Sequence, residues 1–223
     1  MAGLEHWHAE RERGSSGHLP GTFAGRYPSY DDVMTSYAIL MRGVNVGGKN
    51  KVPMSELRRV LEEQGFSNVS TYIQSGNVLL RSDLDSEALT ENIERCLPRT
   101  FKLDSSIVNV LALTCGQMQA VIDNKPEGFG EQPEKYHSDA IFLMGIDAAE
   151  ALPVFSPREG VDTVWPGDGV IYSQRLSALR TKSRLNKIMA SPLYKSMPIR
   201  SWSTTLKLSD MLKDMDAGQE VQT

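Results

Sequence analysis

The chain has 223 residues, 40% of them hydrophobic and 23% charged, with a formal net charge of -4. That is the make-up of a globular protein able to bury a sizeable core, in one large domain or two small ones. The acidic balance argues against wholesale binding to nucleic acid or to an anionic membrane surface.

No apolar run approaches the roughly 20 residues that span a bilayer. The N-terminus lacks the apolar core of a secretory signal, so the expected location is cytoplasmic. Cys96 and Cys115 stand in no metal-ligand or redox spacing and read as buried, reduced thiols on helices. The average charge hides an asymmetry. Residues 36–55 carry Arg42, Lys49 and Lys51, and residues 169–209 carry Arg175, Arg180, Lys182, Arg184, Lys187, Lys195, Arg200 and Lys207. Those windows hold 11 of the 24 cations and none of the 28 acids, which suggests an anionic ligand or partner.

In chain order, residues 1–34 lack sustained apolar periodicity and read as a disordered extension. Tyr37 to Met41 is an apolar strand, followed by the glycine-rich, basic loop Arg42 to Pro53. Pro53 suits a first helical position, and Met54, Leu57, Val60 and Leu61 form one helical face that Gly65 closes. Val69 to Ile73 and Val78 to Leu80 read as strands paired around Gln74-Ser75-Gly76-Asn77. Asp85 caps a second helix carrying Leu89, Ile93, Cys96 and Leu97. Ile107 to Leu113 is a strand, and Thr114 with Gln117 forms a capping-box signature for a third helix. The polar stretch from Asn124 to Lys135 reads as a linker.

The second half repeats the order more loosely. Ala140 to Met144 is a strand and Asp147 to Leu152 a short helix. Thr163 to Trp165 and Val170 to Ser173 read as hairpin strands around Pro166-Gly167-Asp168. A helix is expected near Ser183 to Ala190, then a strand from Ile199 to Trp202, and a last helix with Leu208, Met211, Leu212 and Met215 on one face. The expected fold class is therefore α+β: two tandem split-βαβ, ferredoxin-like units, each a mostly antiparallel sheet with helices on one face. The first spans residues 35–124, the second 136–215, with a flexible tail at 216–223. In this topology the loop at residues 43–52 and the turn at 74–77 share one end of the first sheet. The Arg175–Lys182 segment and the start of the last helix share one end of the second.

Gly43, four residues, then Gly48-Lys49 nearly spells a phosphate-binding loop, but Asn50 replaces the magnesium-binding hydroxyl and the helix starts late. RNA recognition is disfavoured because Asn77 to Arg81, the third strand, has no aromatic residue on which a base could stack. His137 is the single histidine outside the N-terminal extension and reads as a surface residue. Asp139 and Asp168 have no evident partner, and no Gly-x-Ser-x-Gly element occurs. No catalytic constellation, cofactor or metal site is implied. What remains is anion binding by backbone amides, helix starts and cations.

The run Arg42-Gly-Val-Asn-Val-Gly-Gly-Lys-Asn-Lys-Val-Pro-Met54, followed by Thr71-Tyr-Ile-Gln-Ser-Gly-Asn-Val78, resembles a largely bacterial family, domain of unknown function 1697, over about residues 36–213. The resemblance implies a compact α+β protein with split-βαβ character and carries no established activity. By position, the family's loop pattern falls on Arg42, Gly43, Asn45, Gly47, Gly48, Lys49 and Lys51, and its hairpin pattern on Gln74, Ser75, Gly76 and Asn77. Its C-terminal pattern falls on Ser183-Arg184-Leu185, Arg200-Ser201-Trp202-Ser203-Thr204 and Lys207-Leu208, with Ser201 and Ser203 where the family has asparagine. The expected ligand-binding residues are Arg42, Asn45, Gly47, Gly48, Lys49, Lys51, Gln74, Ser75, Asn77, Arg184, Arg200, Thr204 and Lys207. Two readings follow: a binder of a small phosphate- or carboxylate-bearing molecule, or a homodimeric or protein-interaction module without catalysis.

Overall fold

The computed structural model describes residues 34–104 and 108–220. The expected disordered extension lies outside the described residues apart from Met34, as do residues 221–223 of the expected tail. The first half runs β1 (Thr35–Arg42), α1 (Met54–Glu63), β2 (Ser67–Tyr72), β3 (Asn77–Ser82), α2 (Ser86–Thr100), β4 (Asn109–Thr114) and α3 (Cys115–Asp123). The second runs β5 (Tyr136–Phe142), α4 (Ala148–Ala151), β6 (Asp162–Gly167), β7 (Val170–Leu176), β8 (Ile199–Ser201) and α5 (Trp202–Glu220).

The two four-stranded sheets have the orders β2-β3-β1-β4 and β6-β7-β5-β8. Every pairing is antiparallel. Each half thus lays out its strands as a split βαβ unit does, and the α+β, ferredoxin-like expectation holds twice over.

Local signals account for most boundaries. Asp85 accepts the Ala88 amide at 2.9 Å at the start of α2. Thr114 and Gln117 close the expected capping box on α3, and Gly65 takes φ 94° after α1. Pro53 is the cap of α1, one position before the helix. Both cysteines are free thiols, half-buried rather than fully buried.

Two second-half expectations are corrected. The hairpin turn is Asp168-Gly169, with Gly169 at φ 65°. An Asp-Gly pair matches a two-residue turn, and Pro166 is tolerated on β6 because that strand lies at the sheet edge. The helix expected near 183–190 is instead part of three 3-10 turns, Ser177–Lys182, Leu185–Ala190 and Pro192–Ser196. Its buried anchors, Leu185 and Ile188, are three residues apart, which suits three residues per turn.

The core explains why β1 reads as one unbroken apolar run. Tyr37, Ile39 and Met41 face α1 and α2, while Ala38 and Leu40 face a second cluster shared with the other sheet. A strand buried on both faces has no polar alternation. Beyond the expected helices on one face, α3 and α5 cover the inner face of both sheets, contributing Met118, Val121, Leu208 and Leu212. Phe129, in the expected linker, is fully buried there. Its ring meets Tyr172 at 5.2 Å and Trp202 at 5.0 Å, both edge-on. Tyr172 donates its hydroxyl to the Val121 carbonyl at 2.6 Å. A third cluster, built on Ile141, Leu143 and Ile171, lies on the outer face of the second sheet.

Candidate functional site

At the end of β1 the chain turns sharply. Gly47 and Gly48 have φ of 59° and 78°, as a two-residue turn of type I′ requires, and the Lys49 amide donates to the Val46 carbonyl at 3.0 Å. Two asparagines with positive φ brace the base of this turn. Asn45 donates through Nδ2 to the carbonyls of Val52 and Gln74, each at 2.9 Å, and accepts the Val52 amide at 2.8 Å. Asn50 donates to the Gly43 carbonyl at 2.7 Å and exchanges two bonds with Asp104. The glycine-rich loop and the 74–77 turn therefore meet at one end of the sheet, as the topology implied. Lys49 and Lys51 stand exposed.

Arg200 reaches the same place from the other half. It pairs with Ala140 across β5, so it shares the inner face with that residue, opposite to its neighbour Ser201. Its guanidinium bonds the Asn77 side chain, the Met41 carbonyl at 2.8 Å, the Ser75 carbonyl at 3.2 Å and the Gly76 carbonyl at 3.3 Å. Burial pushes its pKa down to about 10, which leaves it charged at neutral pH. Two further contacts join the halves here. The Arg42 guanidinium lies 4.2 Å from the Tyr194 ring centroid, and Asn109 donates to the Lys195 carbonyl at 2.6 Å.

A different concavity opens on the outer face of the second sheet. A cavity of about 410 Å³ is lined by His137, Arg175, Ser177, Arg180, Ser183 and Asn186. No carboxylate is among these lining residues. His137 and Arg175 are directly opposed across β5 and β7, and strand alternation places Asp139 on the same face. Asp139 takes His137 Nε2 at 3.1 Å and Arg175 Nη1 at 3.5 Å. Burial pushes Asp139 above the ordinary carboxylate range, against the pull of His137 and Arg175. A smaller cavity of about 80 Å³ adjoins, sharing Arg175 and Asn186 and walled by Ile141, Leu185, Ile188 and Met189.

Asp162 shapes the turn that carries Ser183. Its Oδ2 accepts the amides of Arg158 at 3.0 Å and Arg184 at 2.8 Å. Burial raises its pKa, but these bonds, the Ser183 hydroxyl and the Arg175 charge outweigh that and hold it below the usual range.

The expected site residues fall into separate places. Arg42, Asn45, Gly47, Gly48, Lys49, Lys51, Gln74, Ser75, Asn77 and Arg200 gather where β1 ends. Thr204 bonds Ser201 at 2.9 Å in the first turn of α5, where Ser201 caps the helix by accepting the Thr204 amide at 3.3 Å. Lys207 is exposed on α5, and Arg184 follows Ser183 with its side chain exposed. Neither cavity is lined by Arg184, Arg200, Lys207 or Lys49. Arg175 and Arg180 stand in the basic window of residues 169–209 but not among the expected ligand-binding residues. Residues 137 and 175 lie outside the strands expected from the sequence, and their pairing comes from the longer β5 and β7 of the structure.

Among the described residues, no three His, Cys, Asp or Glu side chains gather as a metal site, and no helix is long and apolar enough to cross a membrane.

Two tandem four-stranded antiparallel sheets with helices define an α+β protein of the doubled split-βαβ type. The chain belongs to the family described as protein of unknown function (DUF1697), whose sequence pattern matches residues 34–172. That match ends within β7, short of the residue 213 expected from the motifs, and leaves the basic segment from Arg175 onward outside it. No curated protein matches the chain. Among solved structures, the conserved bacterial protein SP0830 from Streptococcus pneumoniae is similar, at 28% identity and a TM-score of 0.65, over 80% of this chain and 99% of that one.

Proposed function

We propose that this protein binds a small phosphate- or carboxylate-bearing molecule, in the cytoplasm, in the cavity between His137, Arg175 and Arg180. The observation that carries the reading is the acid-free cationic lining of that 410 Å³ cavity. Guanidinium groups there can form paired, charge-assisted hydrogen bonds with an oxyanion. Asp139 orients Arg175 from behind. The glycine-rich loop enters this reading as a brace for the 74–77 turn, to which Asn45 ties it, while Arg200 holds that turn and the end of β1 from the other half. Free thiols at Cys96 and Cys115 support the reducing location.

Calorimetric titration with inorganic phosphate, sugar phosphates and small carboxylates tests the reading. Arg180 is exposed, so Arg180→Ala leaves the fold intact. It is expected to weaken binding at least about tenfold, since hydrogen bonds to charged groups contribute about 1.5–3 kcal/mol. No saturable binding by the unaltered protein to any of these anions sinks the proposal.

A second reading, the homodimer or interaction module, draws on two exposed aliphatic side chains at one end of the first sheet, Val46 at 66% and Ile73 at 51% exposure. If they form a contact surface, Val46→Asp lowers the mass measured by light scattering at high concentration. A monomer at every concentration disposes of the homodimer.

A further inference from the structure

The cationic cavity has an apolar annex, and the two share Arg175 and Asn186. A ligand held by its anionic group at Arg180 and Arg175 would therefore direct its remainder past Asn186, against Ile141, Leu185, Ile188 and Met189. Asp139 and Ser173 also border the annex. The Asp139 carboxylate is bonded to His137 and Arg175, and six of the ten residues lining the annex are aliphatic or aromatic. At about 80 Å³, the annex is roughly half the size of the engineered cavity of about 150 Å³ that admits benzene in another protein. A short branched alkyl group suits that space better than a ring system.

The larger cavity favours phosphate over carboxylate. Its polar side chains come from β5, from β7, from two successive 3-10 turns and from Ser183 between them, around a volume of about 410 Å³. Donors arriving from several directions match the three terminal oxygens of a phosphate monoester, whereas a planar carboxylate offers two in one plane.

We infer that the ligand is the phosphate monoester of a short branched alkyl alcohol, its phosphate between His137, Arg175 and Arg180 and its alkyl group against Leu185, Ile188 and Met189. This rests on the anion-binding reading above and adds the class of molecule to it.

The test compares methyl phosphate with isopropyl phosphate by calorimetric titration of the full chain. The two probes carry the same charge and differ in the apolar group alone. Isopropyl phosphate is expected to bind about tenfold tighter, because its two additional carbons are removed from water at about 0.8 kcal/mol each. Met189 is 58% exposed, so Met189→Ser keeps the fold while removing part of the annex wall. It is expected to cut the preference to about threefold. Equal affinities for the two probes overturn the alkyl assignment and leave the anion site standing. A tenfold preference that survives Met189→Ser also overturns it, since the alkyl group then lies elsewhere. Absence of binding by both probes and by inorganic phosphate removes both proposals together.

Discussion

At residue 200 a guanidinium meets five acceptors, four of them in the other half of the molecule: the Asn77 side chain and the carbonyls of Met41, Ser75 and Gly76, with the Ile199 carbonyl as the fifth. Removing it takes the donor from the buried Asn77 side-chain oxygen, and leaving a buried acceptor unpaired costs about 1–3 kcal/mol. Arg200→Ala is therefore expected to lower stability by about 2–4 kcal/mol in urea denaturation. A loss below about 1 kcal/mol would show that the bridge contributes little to holding the halves. The charge of Arg200 was plain in the sequence, and its face of the sheet was not. Its three-residue strand is too short for alternation to announce itself, so Arg200 read like the exposed cations of the same basic window. Arg175 suffered the converse. It reads as one cation in a basic run until its pairing with His137 sets it over a cavity.

Turns and helix ends carried their own signals. The Thr114–Gln117 capping box and the Asp85 cap depend on residues within one helical turn, so local sequence suffices to find them. The 74–77 turn has a less local requirement. Gly76 has φ 74°, and a Cβ there would come within 2.5 Å of Val44 Cγ2 and 2.9 Å of Met41 Cβ. Gly47 has φ 59° with nothing within 4 Å of that position. Gly47→Ala should cost about 1–2 kcal/mol, the strain of a left-handed backbone alone. Gly76→Ala should cost about 1–3 kcal/mol more, because overpacking adds to that strain. Equal losses for the two variants in thermal or urea unfolding would contradict this account of the turn. The 3-10 turns of the second half were not legible, because spacing of three and spacing of three-to-four leave nearly the same apolar pattern in a short segment.

The order strand–helix–strand–strand–helix–strand, twice repeated, was enough to reach the sheet topology, because connection rules leave few arrangements for it. How the halves pack was not readable. The inner faces, the burial of Phe129 and the Arg200 bridge depend on contacts between residues far apart in the chain. That packing separates the predicted residues into a brace at the end of β1 and exposed positions on α5. It also leaves the cationic cavity facing outward from the second sheet. The claim that this cavity, and not the glycine-rich loop, takes the anion is tested most directly by NMR of arginine side chains during titration with inorganic phosphate. Saturable shifts of the Arg175 and Arg180 Nε–H signals, with Arg200 and the Gly47 and Gly48 amides unmoved, are the predicted result. Shifts at Gly47, Gly48 and Lys49 with Arg175 and Arg180 silent would contradict it.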